Sequence, residues 1–105
     1  MDFIENIYVG ENVDDLETVY YSLKRGIPVF NIYCICINNN SKNTFEIMSA
    51  KELFSKRNIK KDYIIVGIAI GKREALSLLT YIVEDAIKKG VNILNIKKAL
   101  KEGEL

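Results

Sequence analysis

The apolar residues of this chain fall into short runs, and two of these runs end on a glycine. One run covers residues 3–9 and is followed by Gly10, and another covers residues 63–70 and is followed by Gly71. After each glycine, apolar side chains recur every third or fourth residue, which is the spacing of an amphipathic helix. The pattern therefore predicts two units in which a strand passes through a glycine into a helix.

The first unit is predicted to contain a strand over residues 3–9 and a helix with Asn12 as its N-cap. Apolar positions at 13, 16, 20 and 23 give this helix one hydrophobic face. We expect it to end at Arg25, because Gly26 can adopt the left-handed conformation and Pro28 cannot continue a helix.

The middle of the chain reads as a strand, a turn and an edge strand. Residues 29–37 are apolar at nearly every position, as in a strand that is covered on both faces. Residues 38–43 form a polar turn, and residues 44–48 alternate polar with apolar, which predicts a half-exposed edge strand. Residues 51–57 are expected to form two short helical turns.

The second unit is predicted to be a strand over residues 63–70 and a helix over residues 73–89 that ends before Gly90. The remaining tail is expected to form a brief strand or extended stretch and then a short helix capped by Asn95. This order of elements indicates one α/β domain over residues 1–105, with a small, mostly parallel mixed sheet of 4–5 strands flanked by helices in a Rossmann-like manner. A ferredoxin-like α+β sandwich is the alternative.

Composition limits the possible partners and compartments. Lys and Arg number 15 against 14 Asp and Glu, so no global field favours nucleic acid or a membrane surface. The longest apolar run is far shorter than the roughly 20 residues that a membrane span needs. The acidic N-terminal residues do not resemble a signal peptide, and Cys34 and Cys36 suit a reducing compartment, so a cytoplasmic protein is predicted.

The side chains available for chemistry favour a role other than catalysis. The sequence has no histidine, which removes the commonest general base and metal ligand. Cys34 and Cys36 lie on the same face of one strand, where they are expected to pack in the core, and neither a disulfide between them nor a zinc site is expected. We predict no metal and no cofactor.

The glycine junctions are the candidate ligand site. If the two strands are parallel neighbours, both junctions lie at the carboxyl edge of the sheet, where open α/β sheets bind ligands. The candidate residues are Gly10, Glu11, Asn12, Gly71, Lys72 and Arg73. The residues from Gly67 to Arg73 match neither a Walker A loop nor a dinucleotide fingerprint. The structural interpretation is that Gly67 and Ala69 allow a helix to pack closely and that Gly71 makes the turn.

Two classes of function remain open. The first is a non-catalytic binding or self-association module, in which exposed parts of Tyr20, Tyr21 and Tyr81 supply apolar area for a homodimer or larger assembly. The alternative is an enzyme or sensor that binds a small phosphorylated or carboxylate metabolite at the two junctions. In that case Lys72 and Arg73 would supply the charges and backbone amides the hydrogen bonds.

Overall fold

The structure, a computed structural model, describes residues 2–105 and contains a four-stranded mixed sheet with helices. The elements in chain order are β1 (Asp2–Val9), α1 (Leu16–Lys24), β2 (Ile32–Ile37), β3 (Glu46–Ser49), α2 (Ala50–Leu53), β4 (Ile64–Ile70), α3 (Gly71–Lys88), a 3-10 turn (Ile93–Asn95) and α4 (Ile96–Lys101). The strand order is β1-β4-β2-β3, in which β1 and β4 are parallel and the other two neighbouring pairs are antiparallel. The α/β class and the mixed sheet are confirmed, but the sheet is not mostly parallel as predicted, because β1 and β4 form its one parallel pair.

Two hydrophobic clusters cover the two faces of the sheet. On one face Val19 and Leu23 of α1 pack with Cys34 and Cys36 of β2, and α2 contributes to the same cluster. On the other face the apolar sides of α3 and α4 pack on β2 and β4. Because helices lie on both sides, β2 is buried along almost its whole length, as its continuous apolar sequence predicts.

Gly67 sets how closely α3 approaches the sheet. A Cβ atom at this position would lie 3.2 Å from Ile35 Cδ1 and 3.2 Å from Leu78 Cδ2, so the predicted close packing of a helix at Gly67 is confirmed. The register between β2 and β4 shifts beside Gly67, and Val66 and Ala69 both pack in the α3 cluster. Gly71 has φ +77°, which confirms its predicted role in the turn from β4 into α3.

Several element boundaries differ from the predicted ones. Asn12 is not the N-cap of α1, because Asp15 accepts hydrogen bonds from the backbone N and Oγ1 of Thr18 and the helix begins at Leu16. Strand β2 begins at Ile32 rather than at residue 29, after Asn31, whose φ is +59°. Strand β3 is confirmed as an edge strand and lies at Glu46–Ser49.

The end of α1 and the tail follow the predicted pattern only in part. Helix α1 ends at Lys24, one residue before the predicted Arg25, and Gly26 follows with φ +74°, the left-handed conformation that was predicted for it. The structure shows no strand over residues 91–105, and Asn92 caps the 3-10 turn through its side chain, whereas the side chain of Asn95 makes no such bond.

Within residues 2–105, no helix has both the length and the apolar character that crossing a membrane requires.

Candidate functional site

The two glycine junctions lie side by side at one edge of the sheet. Strand β1 runs parallel to β4, with Val9 opposite Ile68, and the backbone N of Gly10 donates to the carbonyl of Ile68 at 2.8 Å. The prediction that these strands are parallel neighbours ending at a common edge is therefore confirmed. This is the position at which open α/β sheets leave a crevice.

A cleft of about 950 Å³ opens between the end of β1 and the first half of α3. Four of the predicted site residues line it: Gly10, Glu11, Asn12 and Arg73. Gly71 and Lys72 are not among the lining residues. The rest of the wall comes from both elements and consists of Ile7, Tyr8, Val9, Ile70, Glu74, Ser77, Leu78 and Tyr81.

The carboxylate of Glu74 is hydrogen-bonded to residues of both junctions. It accepts hydrogen bonds from Asn12 Nδ2 at 2.7 Å, from the backbone N of Asn12 at 3.3 Å and from the backbone N of Ile70 at 3.4 Å. A Cβ atom on Gly10 would overlap this carboxylate. Gly10 therefore provides the space in which an acidic side chain from α3 reaches the end of β1.

Four of the backbone amides at the junctions are already hydrogen-bonded within the chain. The amide of Gly10 donates to β4, that of Gly71 donates to the carbonyl of Asn31 at 2.8 Å, and those of Asn12 and Ile70 donate to Glu74. An incoming anion would have to displace the Glu74 carboxylate to use the last two. The Glu74 carboxylate therefore lies where the sequence predicted a bound anion.

Tyr8, Tyr81 and Asp85 form a second connection between β1 and α3. The Tyr8 hydroxyl donates to Asp85 Oδ2 at 2.7 Å, and the rings of Tyr8 and Tyr81 stand at 71° to each other with centroids 6.0 Å apart. Burial, and then the hydrogen bond to Asp85, raise the pKa of Tyr8 well above its ordinary value. The bonds from Tyr8 and from Lys89, whose Nζ lies 3.1 Å away, lower the pKa of Asp85.

The two cysteines lie away from the cleft, in the cluster beneath α1. Both are free and buried, which confirms their predicted place in the core. Burial raises the pKa of Cys34 to about 12 and raises that of Cys36 as well, so neither thiol is a ready nucleophile. Among residues 2–105, no group of three or more His, Cys, Asp or Glu side chains is placed to hold a metal ion.

The sequence did not predict that Tyr8 and Asp85 belong to the site. It also did not predict that Glu74 bonds to Asn12 and Ile70. A signal for part of it does exist in the sequence. Glu74, Ser77, Tyr81 and Asp85 are spaced by three, four and four residues, so they follow one flank of α3. That flank faces the end of β1, but the spacing alone does not reveal which strand lies beside it.

Comparison with protein-family models, with curated proteins and with solved structures finds no match for this chain. The functional interpretation therefore rests on the geometry of the site.

Proposed function

We propose that this chain is a non-catalytic binding module whose ligand site is the cleft between β1 and α3. The observation that carries the proposal is the cleft itself, with a volume of about 950 Å³ at the carboxyl ends of β1 and β4. Ligand pockets commonly have this size and this place in α/β sheets. Its walls are fixed by the hydrogen bonds from Asn12 to Glu74 and from Tyr8 to Asp85.

The groups in and near the cleft suit binding better than proton transfer. The phenol of Tyr8 stays protonated because its pKa is raised, and its proton is committed to Asp85. The Glu74 carboxylate is held by three neutral donors. The alternative of an enzyme or sensor for an anionic metabolite would use the same cleft, in which Glu74 already occupies the amides of Asn12 and Ile70. A cytoplasmic location is part of our proposal, supported by the free thiols of Cys34 and Cys36.

A fragment screen by two-dimensional NMR tests the proposal. We expect neutral and charged fragments to shift the amide signals of residues that line the cleft. Ser77→Trp places a bulky side chain at an exposed position in the cleft wall and should abolish these shifts. Thr80→Trp is the matched control, because Thr80 is also exposed on α3 but does not line the cleft. Binding that survives Ser77→Trp, or no binding by any fragment, would refute the proposed site.

Self-association is a second candidate, although the tyrosines that first suggested it make contacts within the chain. The ring of Tyr20 packs on Phe3 with centroids 4.5 Å apart. The guanidinium of Arg25 lies over the Tyr21 ring, 4.4 Å from its centroid, and Tyr81 meets Tyr8 in the cleft wall. These rings are spread over α1 and α3 and do not form one surface.

A stripe on α3 gives better support for self-association. Leu76, Leu79, Val83 and Ile87 are spaced by three, four and four residues, so they lie in line along the helix. Leu76 is 50% exposed and Ile87 is 62% exposed. In an antiparallel pair of α3 helices the stripe is self-complementary, because Leu76 of each copy would face Ile87 of the other, as a two-fold interface requires.

Sedimentation tests this second candidate. We propose that the wild-type chain sediments as a dimer or larger species and that Leu76→Lys with Ile87→Lys shifts it toward the 12.0 kDa monomer. Leu94→Lys, at a position that is 87% exposed on the 3-10 turn, is the control and should leave the distribution unchanged. A wild-type monomer over the whole concentration range would contradict the candidate.

A further inference from the structure

We infer that the surface around the 3-10 turn binds the anionic face of a lipid bilayer, with Leu94 inserted below the head groups and lysines in contact with them. We call this surface the lysine face, and it consists of Leu94, Lys97, Lys98 and Lys101. It lies apart from the cleft between β1 and α3, because the two share no lining residue. The inference therefore goes beyond the proposed function and does not depend on it.

Leu94 is an apolar side chain that lies mostly in solvent. Its exposed fraction is 87%, and that of the neighbouring Ile93 is 47%. Neither residue belongs to the two hydrophobic clusters, whereas α4, which follows directly, packs Ile96 and Leu100 into the cluster beneath α3. The apolar side of α4 is thus covered within the chain, and Leu94 is left on the outside.

Lysine side chains lie around Leu94. The 3-10 turn runs directly into α4, so Leu94, Lys98 and Lys101 follow one another at spacings of four and three residues along one side. Together with Lys97 they line one shallow depression of about 260 Å³, whose other lining residues are Asn39, Asn95 and Glu102. Three lysines therefore stand against one carboxylate beside an exposed leucine.

The turn after β2 fixes the position of Lys97. Its Nζ donates to the carbonyl oxygens of Asn38 and Ser41, each at 2.9 Å. Carbonyl groups are neutral, so these bonds hold the ammonium group without cancelling its charge. The one ion pair within residues 2–105 joins Lys89 to Asp85, so the structure pairs none of the three lysines of the lysine face with a carboxylate.

The chain on both sides of the lysine face is free of acidic residues. Residues 87–101 contain five lysines and no aspartate or glutamate, and the turn over residues 38–43 contains one lysine and neither acid. The chain as a whole is nearly balanced, with 15 basic against 14 acidic residues, so its total charge did not predict an anionic partner. The positive charge is a local property of this surface.

A lysine-flanked leucine suits a bilayer surface better than a nucleic acid or a protein. At a bilayer, apolar side chains enter the boundary below the head groups while lysines contact anionic lipids, which the cytoplasmic leaflet contains. Proteins that bind single-stranded nucleic acid stack its bases on aromatic side chains, and the lysine face has no aromatic residue and no arginine. Protein interfaces are depleted in lysine.

Vesicle co-sedimentation tests the inference with the full chain. Vesicles of phosphatidylcholine alone are compared with vesicles of phosphatidylcholine and phosphatidylserine in equal parts, at low and at high salt. We expect binding to the mixed vesicles only, and we expect it to weaken as the salt concentration rises, because salt screens exposed charges. Equal binding to both kinds of vesicle would overturn the inference.

The charge of the lysine face is tested by Lys98→Gln with Lys101→Gln. This pair of substitutions should weaken binding to mixed vesicles by at least about tenfold, since each lysine near an anionic surface strengthens binding about fivefold. The matched control is Lys60→Gln with Lys61→Gln, which removes two exposed lysines from the segment between α2 and β4. It changes the total charge equally, and binding should stay as in the wild type.

The insertion of Leu94 is tested by Leu94→Ser. We expect binding to mixed vesicles to fall by about tenfold, the lower end of what burial of a leucine side chain contributes. Phe30→Ser is the control, because Phe30 is 93% exposed in the loop before β2 and lies outside the lysine face. It should leave binding unchanged.

The outcomes separate a bilayer from other partners. Vesicle binding that Leu94→Ser leaves unchanged would overturn the insertion. If single-stranded DNA binds, and the lysine variant loses this binding while Leu94→Ser does not, the partner is a nucleic acid and the inference fails. Absence of binding to mixed vesicles at low salt would also refute it. Each of these results leaves the cleft between β1 and α3 as a ligand site, because fragment binding is measured there independently.

Discussion

Replacing Tyr8 by phenylalanine tests the connection between β1 and α3. The substitution keeps the ring that meets Tyr81 and removes only the hydroxyl, which donates to Asp85 Oδ2 at 2.7 Å. A hydrogen bond to a charged group contributes about 1.5 to 3 kcal/mol to stability. Asp85 retains its contact with Lys89 at 3.1 Å, and its side chain is 18% exposed, so it is not left buried without a partner. We therefore expect Tyr8→Phe to lower the free energy of unfolding by about 1.5 kcal/mol at neutral pH, the lower end of that range.

The pH dependence of this loss distinguishes the hydrogen bond from packing. The pKa of Asp85 is lowered from 3.8 in the folded chain, so its stabilisation is complete above that value and is lost as the pH falls through the lowered pKa. The pKa of Tyr8 is raised from 10.0, so its stabilisation is complete below that value and is lost as the pH rises through the raised pKa. The difference between wild type and Tyr8→Phe should therefore be greatest between these two limits and should shrink outside them.

Urea unfolding followed by circular dichroism measures the difference, at neutral pH and at acidic pH. Tyr81→Phe is the control, because it removes a hydroxyl from a side chain that is 56% exposed, and it should change stability by less than about 0.5 kcal/mol. A Tyr8→Phe loss that is as large in acid as at neutral pH would refute the reasoning, since it would not depend on the charge of Asp85.

Two further predictions concern the backbone and the thiols. Gly71→Ala should lower the free energy of unfolding by about 1 kcal/mol, because φ is +77° at this position. Gly71→Asn should lower it less, because asparagine tolerates this conformation better. Urea unfolding compares the two variants, and equal stability of wild type and Gly71→Ala would contradict the prediction. Cys34 and Cys36 should react with a thiol reagent only when the chain unfolds, because both are buried and burial raises their pKa; rapid labelling of the folded chain at neutral pH would contradict this.

The parts of the fold that depend on local sequence were predictable. The apolar runs that end at Gly10 and Gly71 correctly indicated two parallel strands with a common edge, because glycine and the change of hydrophobic period are local signals. These local signals did not identify the start of α1, because Asn12 and Asp15 are both suitable N-caps. In the structure Asp15 caps α1, and Asn12 bonds instead to Glu74, a residue 62 positions away.

The site was predictable in position and not in chemistry. Gly10, Glu11, Asn12 and Arg73 do line one cleft. The role of Glu74 depends on its contact with the end of β1, and the role of Tyr8 depends on Asp85, 77 positions further along the chain. Such side-chain contacts depend on the strand order and on the side of the sheet that α3 covers. The spacing of residues within one element predicts neither the order nor the side.

The pairing of β1 with β4 has a consequence for how the chain folds during synthesis. Asp2 lies opposite Ile64, and β1 has no other neighbour in the sheet, so β1 is left without its partner after synthesis until β4 has followed. Strands β2 and β3, by contrast, can pair as a hairpin as soon as both have emerged. At about 5 to 20 residues per second, the delay before β1 can be paired lasts several seconds. During that time Phe3, Ile4 and Ile7 are exposed, and the acidic Asp2 and Glu5 among them oppose aggregation of the nascent strand.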